Sequence, residues 1–227
     1  MPLDITLDPS EECRFLNKVH RLIRRMVRRT HFSQQELEAC LLIYYKLVND
    51  DDSPVTSASP KVCGIRELSR VQFVRFFDRA FGIPDETTAN RIQAALTSTE
   101  TAFLSMESWV RMLSIFLRGT MDEKIEHCFR VYDFCREGEL RREHMMILLR
   151  KSFIKHHEEE VEETIKDMIE MLIRRLDVDR DGVISLEDFR ESVKKNPELM
   201  ECFGQAMPNR SYVYAFSRTF LDKVEKF

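Results

Sequence analysis

Glycine and proline are scarce in this 227-residue chain, at 6 and 7 copies, and tryptophan occurs once. Glycine-punctuated sheet proteins, collagen-like repeats and proline-rich disordered chains are thereby disfavoured. An excess of one charge is also missing: 35 Lys and Arg face 39 Asp and Glu, for a net charge of −4, which argues against a basic nucleic-acid coat. No apolar run approaches the about 18–20 residues that cross a bilayer. Position 2 is Pro2 rather than the glycine that myristoylation requires, so no membrane anchor of that kind is expected. Six cysteines, at positions 13, 40, 63, 128, 135 and 202, form no CxxC pair and no zinc-spaced Cys/His set. Without a secretory leader, they are expected to be reduced thiols of a cytosolic protein. No nucleophile–base pair, phosphate loop or paired catalytic carboxylates stands out, so the chain is expected not to be an enzyme.

Abundant instead are 16 Phe and 11 Met, within a composition that is 43% hydrophobic and 33% charged. Helical periodicity dominates. Phe15, Leu16, Val19, Leu22, Ile23, Met26 and Val27 fall on one face of a first helix. Ser33 and Glu36 read as a capping box opening a second, and Thr120 and Glu123 as another further on. Helices are expected at about 69–81, 106–118, 121–132, 143–155, 160–176, 186–195 and 210–224, with Asp85 capping one after the Gly82-Ile83-Pro84 break. Residues 49–60 (NDDDSPVTSASP) are a loop, whose consecutive Asp50, Asp51 and Asp52 point apart rather than converge. Long period-two alternation is lacking.

An internal repeat organises the chain. An aliphatic residue followed five positions later by a large apolar one recurs as Leu68/Phe73, Leu104/Trp109, Leu140/Met145 and Ile184/Phe189, spaced by 36, 36 and 44 residues. The longer gap falls at the charged stretch around His156, His157 and Glu158–Glu160. Each copy lies between two helical patterns, which makes the repeated unit a helix–loop–helix.

The last copy shows what the unit holds. Residues 177–188 read DVDRDGVISLED: Asp177, Asp179 and Asp181 at loop positions 1, 3 and 5, Gly182 at 6, the Val183 carbonyl at 7, Ser185 at 9 and Asp188 at 12. Calcium takes six to eight hard oxygens, and carboxylates two residues apart converge only where the chain curls through a glycine at the sixth position. Asp188 is one methylene shorter than the glutamate usual at position 12. Calcium binding weaker than at a standard sensor site is therefore expected, with magnesium as the alternative cation. The remaining copies have lost this chemistry. In 133–144 (DFCREGELRREH), Asp133 and Gly138 remain, but Cys135, Arg141 and His144 stand at positions 3, 9 and 12. In 97–108, Glu100 falls at a non-ligating position and Ala102 replaces the glycine, while the twelve residues ending at Gln72 contain no Asp.

Together with Phe81-Gly82-Ile83, the SIFLRG block at 114–119, Cys128-Phe129 and Cys202-Phe203-Gly204, these motifs resemble the calaxin family, related to the neuronal-calcium-sensor branch of EF-hand proteins. The resemblance covers roughly residues 33–207. It implies a ciliary or flagellar protein that docks with outer-arm dynein or its docking-complex coiled coils on axonemal doublet microtubules and tunes motility through calcium. Members of that family keep acidic ligands in the hands corresponding to 97–108 and 133–144.

The expected architecture is all-α: four EF-hand units in two paired lobes, most loops degenerate, each pair joined by a short two-stranded contact at loop position 8. A basic N-terminal helix (1–30) precedes an N-terminal pair (31–120) and a C-terminal pair (121–208), and a C-terminal helix (209–227) follows. That last helix, carrying Tyr212, Tyr214, Phe216 and Phe220, either fills a target groove or packs on its own lobe, the second being favoured. Seven Lys or Arg oppose four acids in residues 1–35, for +3, leaving −7 for the rest. Lys18, Arg21, Arg24, Arg25, Arg28 and Arg29 are thus a candidate face for an acidic partner; no nucleic-acid motif accompanies them. The alternative to an axonemal adaptor is a cytosolic calcium sensor or a regulatory subunit of an enzyme or channel.

Overall fold

The computed structural model describes residues 7–49, 60–62, 64–97, 103–150 and 158–219, Glu158–Glu160 by their backbone alone. The Asp50–Asp52 loop, Cys63, Glu100, Ala102 and the His156-His157 pair lie outside these residues, as do the expected helical stretches at 151–155 and 220–224. The fold is all-α. Ten α-helices and six two-residue strands are found among the described residues. The chain divides into two compact units, one of residues 1–119 with 208–227 and one of residues 120–207.

In the first unit, α1 (Pro9–Met26) begins at Asp8, whose carboxylate accepts from the Ser10 amide, and its proline sits in the first turn, where no helical N–H is needed. α1 buries Phe15, Val19, Ile23 and Met26 and packs on α2 (Gln34–Asn49) and α5 (Met106–Arg118). A hairpin, β1 (Lys61–Val62) with β2 (Ile65–Arg66), precedes β3 (Leu68–Ser69), α3 (Arg70–Phe81), α4 (Glu86–Leu96) and β4 (Phe103–Leu104). β3 pairs antiparallel with β4, Leu68 opposite Leu104. The buried Tyr44 hydroxyl joins the two strands, accepting from the Leu68 amide (3.0 Å) and donating to the Leu104 carbonyl (2.7 Å). Trp109 donates to the Cys40 carbonyl (2.9 Å) and stacks near Phe76, their ring centroids 4.6 Å apart.

The C-terminal helix α10 (Arg210–Ser217) packs on α3 and α5, so it belongs to this first unit and not to the 120–207 unit that precedes it in sequence. Phe216 lies 5.2 Å from Phe81 and 5.8 Å from Phe76 between ring centroids. Gly82, with φ +63°, ends α3 in the left-handed region, and a Cβ there would meet the Tyr212 ring at 2.4 Å.

The second unit contains α6 (Met121–Tyr132), β5 (Glu139–Leu140), α7 (Arg142–Arg150), α8 (Glu158–Leu176), β6 (Ile184–Ser185), α9 (Leu186–Lys195) and a 3-10 turn at Pro197–Glu201. β5 pairs with β6, Leu140 opposite Ile184. All four repeat residues at position 8 are therefore paired across a hand pair, and each is fully buried. Both capping boxes read from the sequence are formed, at Ser33/Glu36 and Thr120/Glu123.

Hands without ligands are braced by neutral groups. Gln72, at position 12 of the first hand, accepts from the Ser69 amide (3.0 Å) and donates through Nε2 to the Leu47 carbonyl (2.8 Å), tying the end of α2 to the start of α3. Ser108, at position 12 of the second, donates to the Leu96 carbonyl at the end of α4 (3.2 Å). Each contact spans the two helices that a shared cation joins in a loaded hand. Gln72→Ala is expected to cost the first unit about 2 kcal/mol, since it strands buried carbonyls and opens the capping box, and urea unfolding would measure it.

Candidate metal centre

α8 ends at Leu176, and the chain then curls through residues 177–188 into α9. Arg180 (φ +65°) and Gly182 (φ +90°) both take left-handed backbone, at loop positions 4 and 6. These bends let Asp177 accept from the Arg180 amide through Oδ1 (2.7 Å) and from the Gly182 amide through Oδ2 (3.0 Å). Asp179 accepts from the Asp181 amide (3.2 Å), and Asp181 from the Val183 amide (2.9 Å). As a result, the carboxylates of Asp177, Asp179 and Asp181 converge, with oxygens within 4.8 Å of one another. Three negative charges at that spacing repel. The Asp181 amide lowers the Asp179 pKa, but slight burial and the charges of Asp181, Asp188 and Asp177 outweigh it and hold it above the usual 3.8.

Asp188 stands outside that cluster. It is buried, at 6% exposure, and forms the capping box of α9 with Ser185. Its Oδ2 accepts from the Ser185 amide (3.1 Å) and hydroxyl (2.5 Å), and its Oδ1 from the Val178 amide (3.3 Å). Burial pulls its pKa up, yet the Ser185 hydroxyl and the amides of Ser185, Val178 and Asp179 prevail and hold it below 3.8. The carboxylate is thus kept ionised and anchored at the first turn of the helix that leaves the loop. Of the six positions expected from the sequence, three converge through their side chains, the Val183 amide supports one of them by donating to Asp181, and Ser185 and Asp188 are engaged with each other in the cap.

The neighbouring loop, 133–144, keeps the same backbone although its ligand set is gone. Arg136 (φ +59°) and Gly138 (φ +79°) repeat the two left-handed positions. Asp133 accepts from the Glu137 amide (3.0 Å) and the Gly138 amide (2.9 Å) much as Asp177 does. Arg141, at position 9, places its guanidinium on Glu139 (2.7 Å) and near Glu137 (3.7 Å). The acids at positions 5 and 7, passed over in the sequence, are the signal for this internal cation: alternate carboxylates lead up to one basic residue. The Cys135 thiol is exposed.

On α1 the apolar stripe is used internally through Phe15, Val19, Ile23 and Met26, while Arg14, Lys18, Arg21, Arg24 and Arg25 remain exposed. Arg25 of α1 and Arg29 of the turn after it are held from within the unit: both pair with Glu107, which also binds Arg111 (2.6 Å). No helix among the described residues is long and apolar enough to cross a membrane. Cys13, Cys40, Cys128, Cys135 and Cys202 are free thiols.

Paired helix–loop–helix hands joined at position 8, with converging aspartates in one loop, define an EF-hand protein, a class built around calcium. Residues 122–194 match the family described as an EF-hand domain pair. Calaxin of Xenopus laevis is 32% identical over 204 residues, spanning 89% of this chain and 93% of that protein. Calaxin of Danio rerio is 32% identical over 196 residues (86% and 90%), and that of Homo sapiens 29% over 180 (79% and 82%). The chain belongs to the calaxin family.

Proposed function

We propose that this protein is a non-enzymatic adaptor of the ciliary or flagellar axoneme, docking with outer-arm dynein or its docking-complex coiled coils on doublet microtubules and carrying one calcium-responsive hand. The carrying observation is the convergence of Asp177, Asp179 and Asp181 beside a second loop that has the same backbone but holds its own guanidinium. The donor set fits a hard divalent cation: three carboxylates, the Val183 carbonyl, Ser185 at the water-mediated position and Asp188 at the last. A bound cation supplies positive charge where the carboxylates repel. Asp188 links the site to the start of α9, because any oxygen it lends must be shared with the Ser185 cap. Binding and the seating of α9 are thus coupled, giving the 120–207 unit a calcium-dependent and a calcium-independent way to meet a partner. With only a short aspartate at position 12, affinity is expected at micromolar or weaker, and magnesium competes.

Calorimetric titration of the full chain with calcium tests the site. A single event of micromolar or weaker affinity that disappears in Asp177→Ala is expected; nanomolar binding, or binding unchanged by Asp177→Ala, would contradict the assignment. At calcium about 100 times above its Kd, the holding unit should gain about 2.7 kcal/mol in urea unfolding. Co-sedimentation with doublet microtubules, with and without calcium, tests the adaptor role. Loss of co-sedimentation under both conditions would favour a free cytosolic sensor or regulatory subunit.

A further inference from the structure

The first unit contains a polar cleft of about 610 Å³ that the cation chemistry leaves unexplained. Its volume is that of a ligand site, within the usual ~300–1,000 Å³. One wall is α1, with Arg14 and Lys18 one helical turn apart; the other is the β1–β2 hairpin, where Lys61 and Arg66 are cross-strand partners. Tyr45 and Asn49 of α2 lie between the walls. The cleft thus gathers two pairs of cations from two separate elements. Its only acid among the lining residues is Glu11, which accepts from the Tyr45 hydroxyl (2.8 Å). Arg14 bonds to the Ser10 carbonyl (3.0 Å), and Lys18, Lys61 and Arg66 have no carboxylate partner among the described residues.

From this arrangement we infer that the cleft between α1 and the β1–β2 hairpin is a docking site for an acidic segment of a partner protein, rich in glutamate or aspartate. Cations spread over two walls suit a chain bearing successive carboxylates better than one compact phosphate, which would draw them to a point. The long stems of Lys18 and Lys61 let their ammonium groups follow carboxylates of varied spacing. Continuing along α1, the exposed Arg21 and Arg24 extend the positive field, so the segment is steered toward the cleft before contact. The inference depends neither on the cation hand nor on the axonemal reading. It concerns the chemistry of one partner segment, and its failure would leave both standing.

The test is fluorescence anisotropy of a fluorescein-labelled octaglutamate peptide titrated with the full chain at about 50 mM and 200 mM salt, ionic strengths over which screening changes. Saturable binding that weakens with salt is expected. Lys18→Glu/Lys61→Glu/Arg66→Glu should lose it by at least tenfold. Lys166→Glu/Arg174→Glu/Lys195→Glu, on exposed helical positions of the other unit, changes net charge equally and should retain most of it. Circular dichroism checks that both variants stay folded. The inference is overturned if the wild type does not bind, if the two variants lose binding equally, or if the cleft variant binds as well as the wild type. It is overturned as well if phosphatidylserine vesicles or inorganic phosphate bind through these residues and the peptide does not. Binding seen only after Asp50→Asn/Asp51→Asn/Asp52→Asn would assign the cleft to the chain's own acidic loop and overturn the partner.

Discussion

Truncation of Phe81 to alanine is expected to remove about 3–5 kcal/mol from the first unit. Phe81 is fully buried, and its ring lies 5.4–5.6 Å from those of Phe76, Phe77 and Phe116 and 5.2 Å from that of Phe216. Removing it opens a cavity that four aromatic neighbours cannot fill without leaving their rotamers. Because Phe216 is one of them, the same substitution loosens α10, the helix that enters this unit from far along the chain. Gly82→Ala reaches α10 by a different route, forcing a Cβ into the Tyr212 ring at a left-handed residue. Urea unfolding of Phe81→Ala and limited proteolysis near residues 208–217 in Gly82→Ala measure the two effects. A Phe81→Ala cost below about 1 kcal/mol would mean that the cluster repacks freely and that Phe81 does not anchor this core.

The second large effect is acid sensitivity of the unit formed by residues 120–207. His127 on α6 is buried, which lowers its pKa from 6.5 to about 4 against the opposing influence of a backbone hydrogen bond with Ala206, with the Arg130 charge adding to the decrease. In the unfolded chain this imidazole takes up a proton near pH 6.5, whereas the folded unit refuses it until about pH 4. The unfolded state therefore binds more protons between those values, and stability falls as the pH drops through that window, by about 3 kcal/mol from this residue. Below about pH 4 the contribution is level. Asp188 acts in a lower window: its pKa is depressed, so its stabilisation is present above its unfolded value and is lost as the pH falls through the folded one. Urea midpoints between pH 7 and 4 should show the decline, and His127→Gln should flatten it. An unchanged slope in that variant would place the acid response elsewhere.

How much was legible in the sequence depended on how local each signal is. Leu68, Leu104, Leu140 and Ile184 were identified as position 8 by spacing alone, and the structure pairs them in that order because the loop of each hand fixes its own register. The capping boxes and the Asp177–Asp188 loop were legible for the same reason, each lying within twelve residues. Contacts that cross the chain were not. Gln72 looks like a lost ligand until the end of α2, 24 and 25 residues earlier, supplies the carbonyls it braces. Arg25 and Arg29 read as part of an open basic face until Glu107, on α5, is seen to pair with both. The destination of α10 is set by Phe76 and Phe81, more than 130 residues upstream, and no local pattern encodes it. Loop 133–144 was read by what its ligands had lost, whereas Arg136 and Gly138 preserve the shape of the curl without them.

The single tryptophan, Trp109, is sealed in the first unit with its indole N–H on Cys40, while the converging aspartates belong to the second. Tryptophan emission, selectively excited, is consequently a one-sided optical reporter. An ion titration that leaves the spectrum still describes an indole whose surroundings did not change, and a spectral change would mean that the event at the aspartates had been relayed to the other unit.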